Sequence, residues 1–504
     1  HDSIALDMAR KSMTLLVNKD NALPLKRGGL TVAVMGPNAN DSVMQWGNYN
    51  GTPRNTVTLL EGIREKLTDS DRLIYEPGCA HVERMVVRSV FDQCMSGGKP
   101  GFTARYWNNT RREGNPVNTV QVTTPPQYCA AGATVFAPGV NLTDFSATYT
   151  TTFTPKVEGE YHLDIYAYGL GRVRVNGKEV KGFHNTHGAR KSTYKLKARR
   201  GQRYDIEIDY EFVRADALLS FDLGFREETD IARSVECVKE ADVVIFAGGL
   251  SPMLEGEEMG VHLPGFRGGD RTEIELPAVQ RELVAALHEA GKRVVFVNFS
   301  GSPVALIPEV EHSVAVLQAW YPGQAGGRAA ADVLFGDYNP AGRLPVTFYS
   351  SLAQLPDFED YNMKGRTYRY MTETPLFPFG YGLSYTTFAY GEPRLSKKSF
   401  SAGKTLTVTV PVTNTGKMDG DEVVQLYMRR VDDVDGPVKA LRAFRRVHVA
   451  AGTTEQVQLT LTDREMEWWN PATNTLCIYP GKYELFVGSS SRAEDLQTLT
   501  ITVK

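Results

Sequence analysis

Three glutamates lie within four positions of one loop, residues 248–271: Glu255, Glu257 and Glu258. The loop follows an apolar run, residues 242–247, that predicts a buried strand. Loops at the carboxyl ends of strands in α/β sheets are where ligands bind. Crowded carboxyl groups raise one another's pKa, and a carboxyl group with a raised pKa can act as a general acid. The loop is therefore a candidate for acid–base chemistry, although clustered charges more often simply face water.

Two further side chains, Trp46 and His262, are candidates for ligand contact. Trp46 follows the first predicted pair of strands, and its apolar face could stack on a ligand, but packing between domains explains it equally well. His262 lies in the acidic loop, where a single histidine is more often incidental.

Composition narrows the class of protein. At 504 residues the chain is too long for one hydrophobic core, so several domains are expected. A net charge of −3 argues against nucleic acid and anionic membranes as partners, and no apolar run is long enough for a membrane helix. The five cysteines and nine histidines show no metal-ligand spacing, so we expect no metal and no other cofactor. The sequence leaves open whether two of Cys79, Cys94 and Cys129 form a disulfide bond.

The pattern along the chain predicts three domains. Helical and strand-like segments alternate in residues 1–97 and resume in 227–389, which predicts one mostly parallel α/β domain in two pieces. Between them, residues 98–226 alternate apolar and polar side chains around an Asn176-Gly177 hairpin turn, which predicts an inserted β-sandwich. About seven short strands in residues 390–504 predict an immunoglobulin-like or fibronectin-type sandwich.

Several motifs resemble glycoside hydrolase family 3. The opening run Ala9-Arg10-Lys11-Ser12-Met13-Thr14-Leu15-Leu16-Val17-Asn18 is similar to the start of that family's second domain. Residues 320–327 (WYPGQAGG), 339–348 (NPAGRLPVTF) and 377–385 (FPFGYGLSY) are together very specific for it. The inserted domain resembles a protective-antigen-type β-sandwich, and the C-terminal region resembles the family's fibronectin type III-like domain.

One part of the family pattern is absent from this sequence. Family members begin with a (β/α)8 barrel that carries a nucleophilic aspartate in a Ser-Asp-Trp-type segment. The Ser70-Asp71 pair of this chain is followed by Arg72. The chain therefore resembles the C-terminal part of the family, and the resemblance implies that a barrel domain, in the same or a separate chain, supplies the nucleophile.

The resemblance also assigns roles in the acidic loop. The family pattern is Glu-x-Glu followed by Asp-Arg, here Glu255-Gly256-Glu257 and Asp270-Arg271. It implies Glu257 as the acid/base, with Glu255 second and Glu258 last. With a sugar as the expected substrate, Trp46 and His262 become candidate sugar contacts. An insertion, residues 259–269, separates the two parts of the pattern. We expect Asp270 and Arg271 to form an ion pair that anchors the loop.

The function implied is part of a retaining, exo-acting β-glycosidase that removes terminal sugars from short β-linked oligosaccharides. We favour a β-glucosidase, with a β-xylosidase second and a non-catalytic carbohydrate-binding module as the alternative. The expected partners are the oligosaccharide substrate and the barrel domain, and a homodimer is left open. We expect a periplasmic or secreted protein.

Overall fold

The computed structural model describes residues 1–51, 53, 55–130, 134–214 and 216–504. These residues form two compact units. One comprises residues 1–48, 57–76 and 231–504, and the other comprises residues 49–56 and 77–230.

The chain begins with the first piece of an α/β sheet, as the helical and strand-like spacing predicts. A capping box in which Thr58 and Glu61 satisfy each other's backbone starts the second helix. The elements are α1 (Asp2–Ser12), β1 (Thr14–Asn18), β2 (Thr31–Met35), α2 (Leu59–Arg64) and β3 (Arg72–Glu76).

The second unit is built from strands around one aromatic-rich core, with no α-helix among its described residues. The predicted hairpin is confirmed, because the two longest strands pair across Asn176-Gly177. The strands are β4 (Met85–Ser89), β5 (Cys94–Ser96), β6 (Lys99–Pro100), β7 (Phe102–Trp107), β8 (Asn118–Val122), β9 (Gln127–Cys129), β10 (Phe145–Phe153), β11 (Gly159–Val175), β12 (Lys178–Ala198), β13 (Tyr204–Phe212) and β14 (Leu218–Glu228).

The bounds of this unit differ from the predicted 98–226. Strand β4 pairs with β14 and β5 pairs with β10, so the sheet takes in residues that precede position 98. Gly97 and Gly98, which suggest a boundary in the sequence, form the turn between β5 and β6. Both have positive φ, at 56° and 76°, as the turn of a tight hairpin requires.

The α/β sheet then resumes. Its elements are α3 (Ile231–Cys237), β15 (Val243–Gly249), β16 (His262–Leu263), β17 (Phe266–Arg267), β18 (Asp270–Arg271), α4 (Ala278–Glu289), β19 (Val294–Phe299), α5 (Ile307–His312), β20 (Ala315–Gln318), α6 (Gly326–Leu334) and the short α7 (Thr367–Tyr370). Every residue of β15 and β19 is buried, as expected of parallel strands covered on both faces.

The six-stranded sheet has the order β1-β20-β19-β15-β2-β3. All neighbours are parallel except β1, which runs antiparallel to β20. Helices α1, α2 and α6 share one core with the sheet, and α4 packs with α3, α5 and β19. The chain winds outward from β2 to β3, then returns to β15 and winds the other way. The order therefore reverses between β2 and β15, where α/β sheets open a crevice at their carboxyl ends.

The C-terminal region forms the predicted β-sandwich. A sheet built around β24 and a second, five-stranded sheet enclose one core. The elements are β21 (Phe388–Tyr390), β22 (Arg394–Leu395), β23 (Ser399–Phe400), β24 (Leu406–Asn414), β25 (Gly420–Arg430), β26 (Ala440–Val449), β27 (Thr454–Leu461), α8 (Asp463–Met466), β28 (Trp468–Asn470), β29 (Thr475–Cys477), β30 (Gly481–Gly488) and β31 (Leu496–Val503).

None of the five cysteines, all of which lie in the described residues, forms a disulfide bond. Within the same residues, no helix is long and apolar enough to cross a membrane. No cluster of three or more histidine, cysteine, aspartate or glutamate side chains in this part of the chain could hold a metal ion.

A buried carboxyl group makes the stability of the α/β unit depend on pH. Glu309 on α5 is fully buried, and burial raises its pKa to about 7, although the Arg281 guanidinium on α4 offsets part of this effect. Because the folded-state pKa exceeds the unfolded one, ionisation opposes folding, and stability falls as pH rises from about 4.5 to about 7.

We expect Glu309→Gln to remove this dependence. The variant should unfold at a higher temperature than the parent at pH 8.5 and near the same temperature at pH 5. The gain at pH 8.5 is at most about 3 kcal/mol, because burial raises the pKa of Glu309 from its ordinary value of 4.5 to about 7. Calorimetry at both pH values tests this, with exposed Glu311→Gln as the control. An equal change at both pH values would contradict the prediction.

Candidate active site

The loops after four adjacent parallel strands, β2, β15, β19 and β20, meet at the carboxyl edge of the sheet. Asn38 fastens the first two loops together at the point where the strand order reverses. Its side-chain Nδ2 donates to the carbonyl oxygens of Gly248, at 3.0 Å, and Leu250, at 3.1 Å. The acidic loop predicted from the sequence therefore leaves the sheet at the position where α/β proteins bind ligands.

Glu255 is the residue that joins these loops. Its Oε1 accepts hydrogen bonds from the Tyr321 hydroxyl, at 2.6 Å, and from the Gly301 backbone N–H, at 3.2 Å. Its Oε2 accepts from the Ser302 hydroxyl at 2.8 Å. The Glu255 carbonyl oxygen also accepts from the Asn48 side chain at 2.8 Å. Both carboxylate oxygens are thus committed to holding the loop.

Tyr321 is suited to remain a donor in this arrangement. Burial, with the Glu255 carboxylate as the second cause, raises the pKa of its hydroxyl above the usual range. The ring of Tyr321 also packs against Gly301, where an added Cβ would come within 2.8 Å of a ring carbon. The loops after β19 and β20 are therefore held in contact by packing as well as by their shared carboxylate.

Arg271 anchors the far end of the acidic loop. Its Nη1 donates to the Ser302 hydroxyl at 2.9 Å and to the Pro303 carbonyl at 2.6 Å, and its Nη2 donates to the Ile274 carbonyl at 2.5 Å. Burial lowers the pKa of the Arg271 guanidinium, an effect that the nearby Glu255 charge opposes.

The expectation that Asp270 and Arg271 form an ion pair is wrong. Within the part of the chain that the structure describes, no salt bridge joins them, and Asp270 is exposed. The two residues are consecutive in β18, and successive side chains of a strand point to opposite faces. Arg271 alone turns inward and anchors the loop.

The insertion between the two parts of the Glu-x-Glu and Asp-Arg pattern is folded. Strands β16, β17 and β18 form a small three-stranded meander. At its base the Gly256 N–H donates to the Gly269 carbonyl at 3.1 Å. Gly269 has φ of 93°, and a Cβ there would lie 2.0 Å from the Gly256 oxygen. The meander therefore loops outward and returns Arg271 to the neighbourhood of Glu255.

Glu257 and Glu258 lie at the exposed turn that leads into this meander. Glu258 has a positive φ of 48°, which turns the chain sharply after Glu257. Glu257 is separated from the anchored Glu255 by Gly256 alone. The structure thus distinguishes two of the predicted residues, because Glu255 is held by three donors and Glu257 is presented to solvent.

The structure brings Trp46 close to the acidic loop in the fold. Trp46 is half-buried in a 3-10 turn after β2, two residues before the Asn48 that binds the Glu255 carbonyl. His262 is exposed on β16, where it pairs with Arg267 in the meander. Contact of either residue with a sugar stays a prediction.

Asp71, from the Ser70-Asp71 pair that precedes Arg72, lies away from the acidic loop. Its carboxylate accepts hydrogen bonds from the backbone of Gly28, Leu30 and Thr68 and from the Thr68 hydroxyl, and these bonds hold its pKa well below the usual range. It precedes β3, at the amino edge of the sheet, whereas the acidic loop leaves the carboxyl edge.

Three residues that hold the acidic loop escape the sequence reasoning: Asn48, Ser302 and Tyr321. Each follows a strand that ends at the same edge, so a strand-end search could have included all three. Tyr321 lies within the recognised motif of residues 320–327, but nothing in that motif indicates a bond to Glu255.

Comparison with known proteins identifies the domains. The profile of the glycosyl hydrolase family 3 C-terminal domain matches residues 13–385, and that of a fibronectin type III-like domain matches residues 422–491. A solved structure of a beta-glucosidase from Kluyveromyces marxianus in complex with glucose has a TM-score of 0.71 and 27% identity. That match covers 100% of this chain and 62% of the other.

Two curated relatives extend the comparison. A xylan 1,4-beta-xylosidase from Xylanibacter ruminicola is 48% identical over 504 residues, 99% of this chain and 58% of the relative. A beta-glucosidase from Rhizobium radiobacter is 34% identical over 514 residues, 95% of this chain and 60% of the relative. The chain thus spans about three-fifths of the length of these relatives.

We expect Tyr321→Phe to loosen the acidic loop. The change removes a 2.6 Å hydrogen bond to a carboxylate, and bonds to charged groups contribute about 1.5–3 kcal/mol. Hydrogen exchange in peptides that span residues 251–270 should therefore speed up at least about tenfold. Exposed Tyr361→Phe is the matched control. Unchanged exchange in these peptides would show that the Tyr321 hydroxyl does not hold the loop.

Proposed function

Because this chain belongs to glycosyl hydrolase family 3, we propose that it is part of a retaining, exo-acting β-glycosidase. Retaining glycosidases need two carboxyl groups about 5–5.5 Å apart, one as nucleophile and one as acid and then base. The observation that carries the proposal is the placement of two glutamates where the strand order reverses. Glu255 is anchored there by hydrogen bonds, and Glu257 lies on an exposed turn. This chain supplies the acid/base, and a barrel domain supplies the nucleophile.

Glu257 is the proton donor in this proposal. A general acid must reach the glycosidic oxygen and exchange its proton there, which requires an accessible carboxyl group. Glu257 lies on the exposed turn of the loop, two residues after the Glu255 carboxylate that binds Tyr321, Gly301 and Ser302. Glu255 is therefore a positioning residue, which fixes the loop two residues before the acid.

Terminal β-linked xylose is the preferred sugar in this proposal, and terminal glucose is the second candidate. From the sequence alone we place a β-glucosidase first and a β-xylosidase second. The relative that is 48% identical across nearly the whole chain is a xylan 1,4-beta-xylosidase, however, whereas the beta-glucosidase relative is 34% identical. Comparing kcat/KM for nitrophenyl β-xyloside and β-glucoside, with the barrel domain present, decides between them.

The chain without a barrel domain should not hydrolyse either nitrophenyl glycoside, because it holds only one of the two carboxyl groups. Release of nitrophenol by material shown by mass spectrometry to be free of barrel polypeptide would refute the two-carboxylate account. Restored activity on addition of the barrel domain supports it over a non-catalytic carbohydrate-binding module, which would stay inactive.

With the barrel domain present, Glu257→Ala should slow hydrolysis of substrates with poor leaving groups about 100- to 10,000-fold, because proton donation is lost. Hydrolysis of activated aryl glycosides should slow less. Azide should accelerate their turnover, because azide can attack the glycosyl-enzyme without the general base that water needs. Glu273→Ala, an exposed glutamate beyond Arg271, is the control. Azide rescue in Glu255→Ala or Glu258→Ala instead would reassign the acid/base.

A further inference from the structure

Residues 350–366 form a loop, here called the aromatic loop, that exposes several large apolar side chains. Phe358 and Tyr361 are 92% and 91% exposed, and Leu352 and Met363 are also exposed. Apart from one 3-10 turn the loop has no regular secondary structure. Clustered exposed apolar side chains mark interaction sites, and aromatic residues and methionine are enriched at the centres of protein interfaces.

The aromatic loop is held in shape by one arginine. The Arg366 guanidinium donates to the carbonyl oxygens of Asp357 at 2.9 Å, Asp360 at 2.6 Å and Asn362 at 3.2 Å. These three acceptors flank Phe358 and Tyr361 on both sides. A surface that is already ordered loses less conformational entropy when a partner binds, so the loop presents its rings in a form suited to binding.

The loop starts at the edge of the sheet that carries the candidate site. The ring of Phe348, two residues before the loop, makes an edge-on contact with Trp320 at a centroid distance of 6.2 Å. Trp320 adjoins Tyr321, whose hydroxyl donates to Glu255. The start of the aromatic loop is therefore linked to the carboxyl edge of the sheet through Phe348 and Trp320.

We propose that the aromatic loop is a docking surface for the barrel domain that carries the nucleophile, with Phe358 and Tyr361 as its central contacts. The inference rests on the proposed function. The occupant follows from length, because the curated relatives are longer than the part that this chain matches, 58% and 60% of their length. It also follows from the need to bring a second carboxyl group within about 5–5.5 Å of the acid.

Charge favours this occupant over a second copy of the chain. Asp357, Glu359 and Asp360 surround the two rings, and a two-fold contact would bring these acidic groups against themselves. The partner face should accordingly have an apolar centre with basic side chains at its rim.

Hydroxyl-radical footprinting read by mass spectrometry tests the proposal. The oxidation rates of Phe358 and Tyr361 are compared between this chain alone and this chain with its barrel domain. We expect at least about tenfold protection of both rings in the complex, since central interface residues are fully desolvated. Phe444, 67% exposed in the C-terminal sandwich, is the control and should be oxidised equally in both samples.

Several outcomes would overturn the docking surface. Equal oxidation of the two rings in both samples would do so, as would protection that depends on the concentration of this chain alone, which indicates a second copy. Protection of the chain alone by xylohexaose would indicate a glycan site instead. Protection in a complex that hydrolyses nothing leaves the docking surface standing and removes the proposed function. Hydrolysis by a complex with exposed rings does the reverse.

Discussion

The carboxylate of Glu255 ties together the loops on which the candidate site depends. It follows β15 and accepts hydrogen bonds from Tyr321, which follows β20, and from Gly301 and Ser302, which follow β19. Asn48, after β2, binds its backbone carbonyl. Hydrogen bonds to an ionised acceptor are roughly twice as strong as neutral ones. The side chain of Glu255 thus fixes the relative positions of three strand ends, and its backbone carbonyl adds the fourth. Gly256 alone separates this anchored residue from Glu257.

Under the proposed function, this arrangement accounts for two glutamates placed so close together. An ionised side chain that is partly withdrawn from water must be satisfied by donors, and the donors that satisfy Glu255 also occupy it. A proton donor at a scissile bond has the opposite requirement, because its oxygens must be open to the substrate. In the proposed function, anchoring and proton transfer are divided between two residues on one turn, and the Gly256 N–H bond to the Gly269 carbonyl holds that turn.

The sequence predicts the elements of the fold well because their spacing is local. Residues 31–35 and 243–249 are apolar runs, and both become buried parallel strands. The strand-end rule also places the acidic loop at the correct edge of the sheet. Prediction from the sequence fails where the structure depends on which strands pair. Gly97-Gly98 has the composition of either a linker or a hairpin turn, and only the pairing of β5 with β6 decides between them.

The same limit applies to Arg271, for which the sequence analysis predicts an ion pair with its neighbour Asp270. A strand that separates the two side chains cannot be predicted from the dipeptide, and the meander that returns Arg271 to Ser302 depends on backbone pairing within an insertion. Tyr321 lies 66 residues from Glu255, so their hydrogen bond follows only from the strand order β20-β19-β15.

All the groups that hold Glu255 belong to this chain, which bears on how the site is completed. If a partner domain had to order the acidic loop, the entropy cost of ordering would be paid at association and would weaken binding. Here the loop is fixed by side chains of its own sheet before any partner arrives. In the proposed function, the barrel domain then has only to bring its own carboxyl group to the correct distance from Glu257. That task is a matter of docking geometry, and rigid contact surfaces near the same edge are the means by which docking geometry is set.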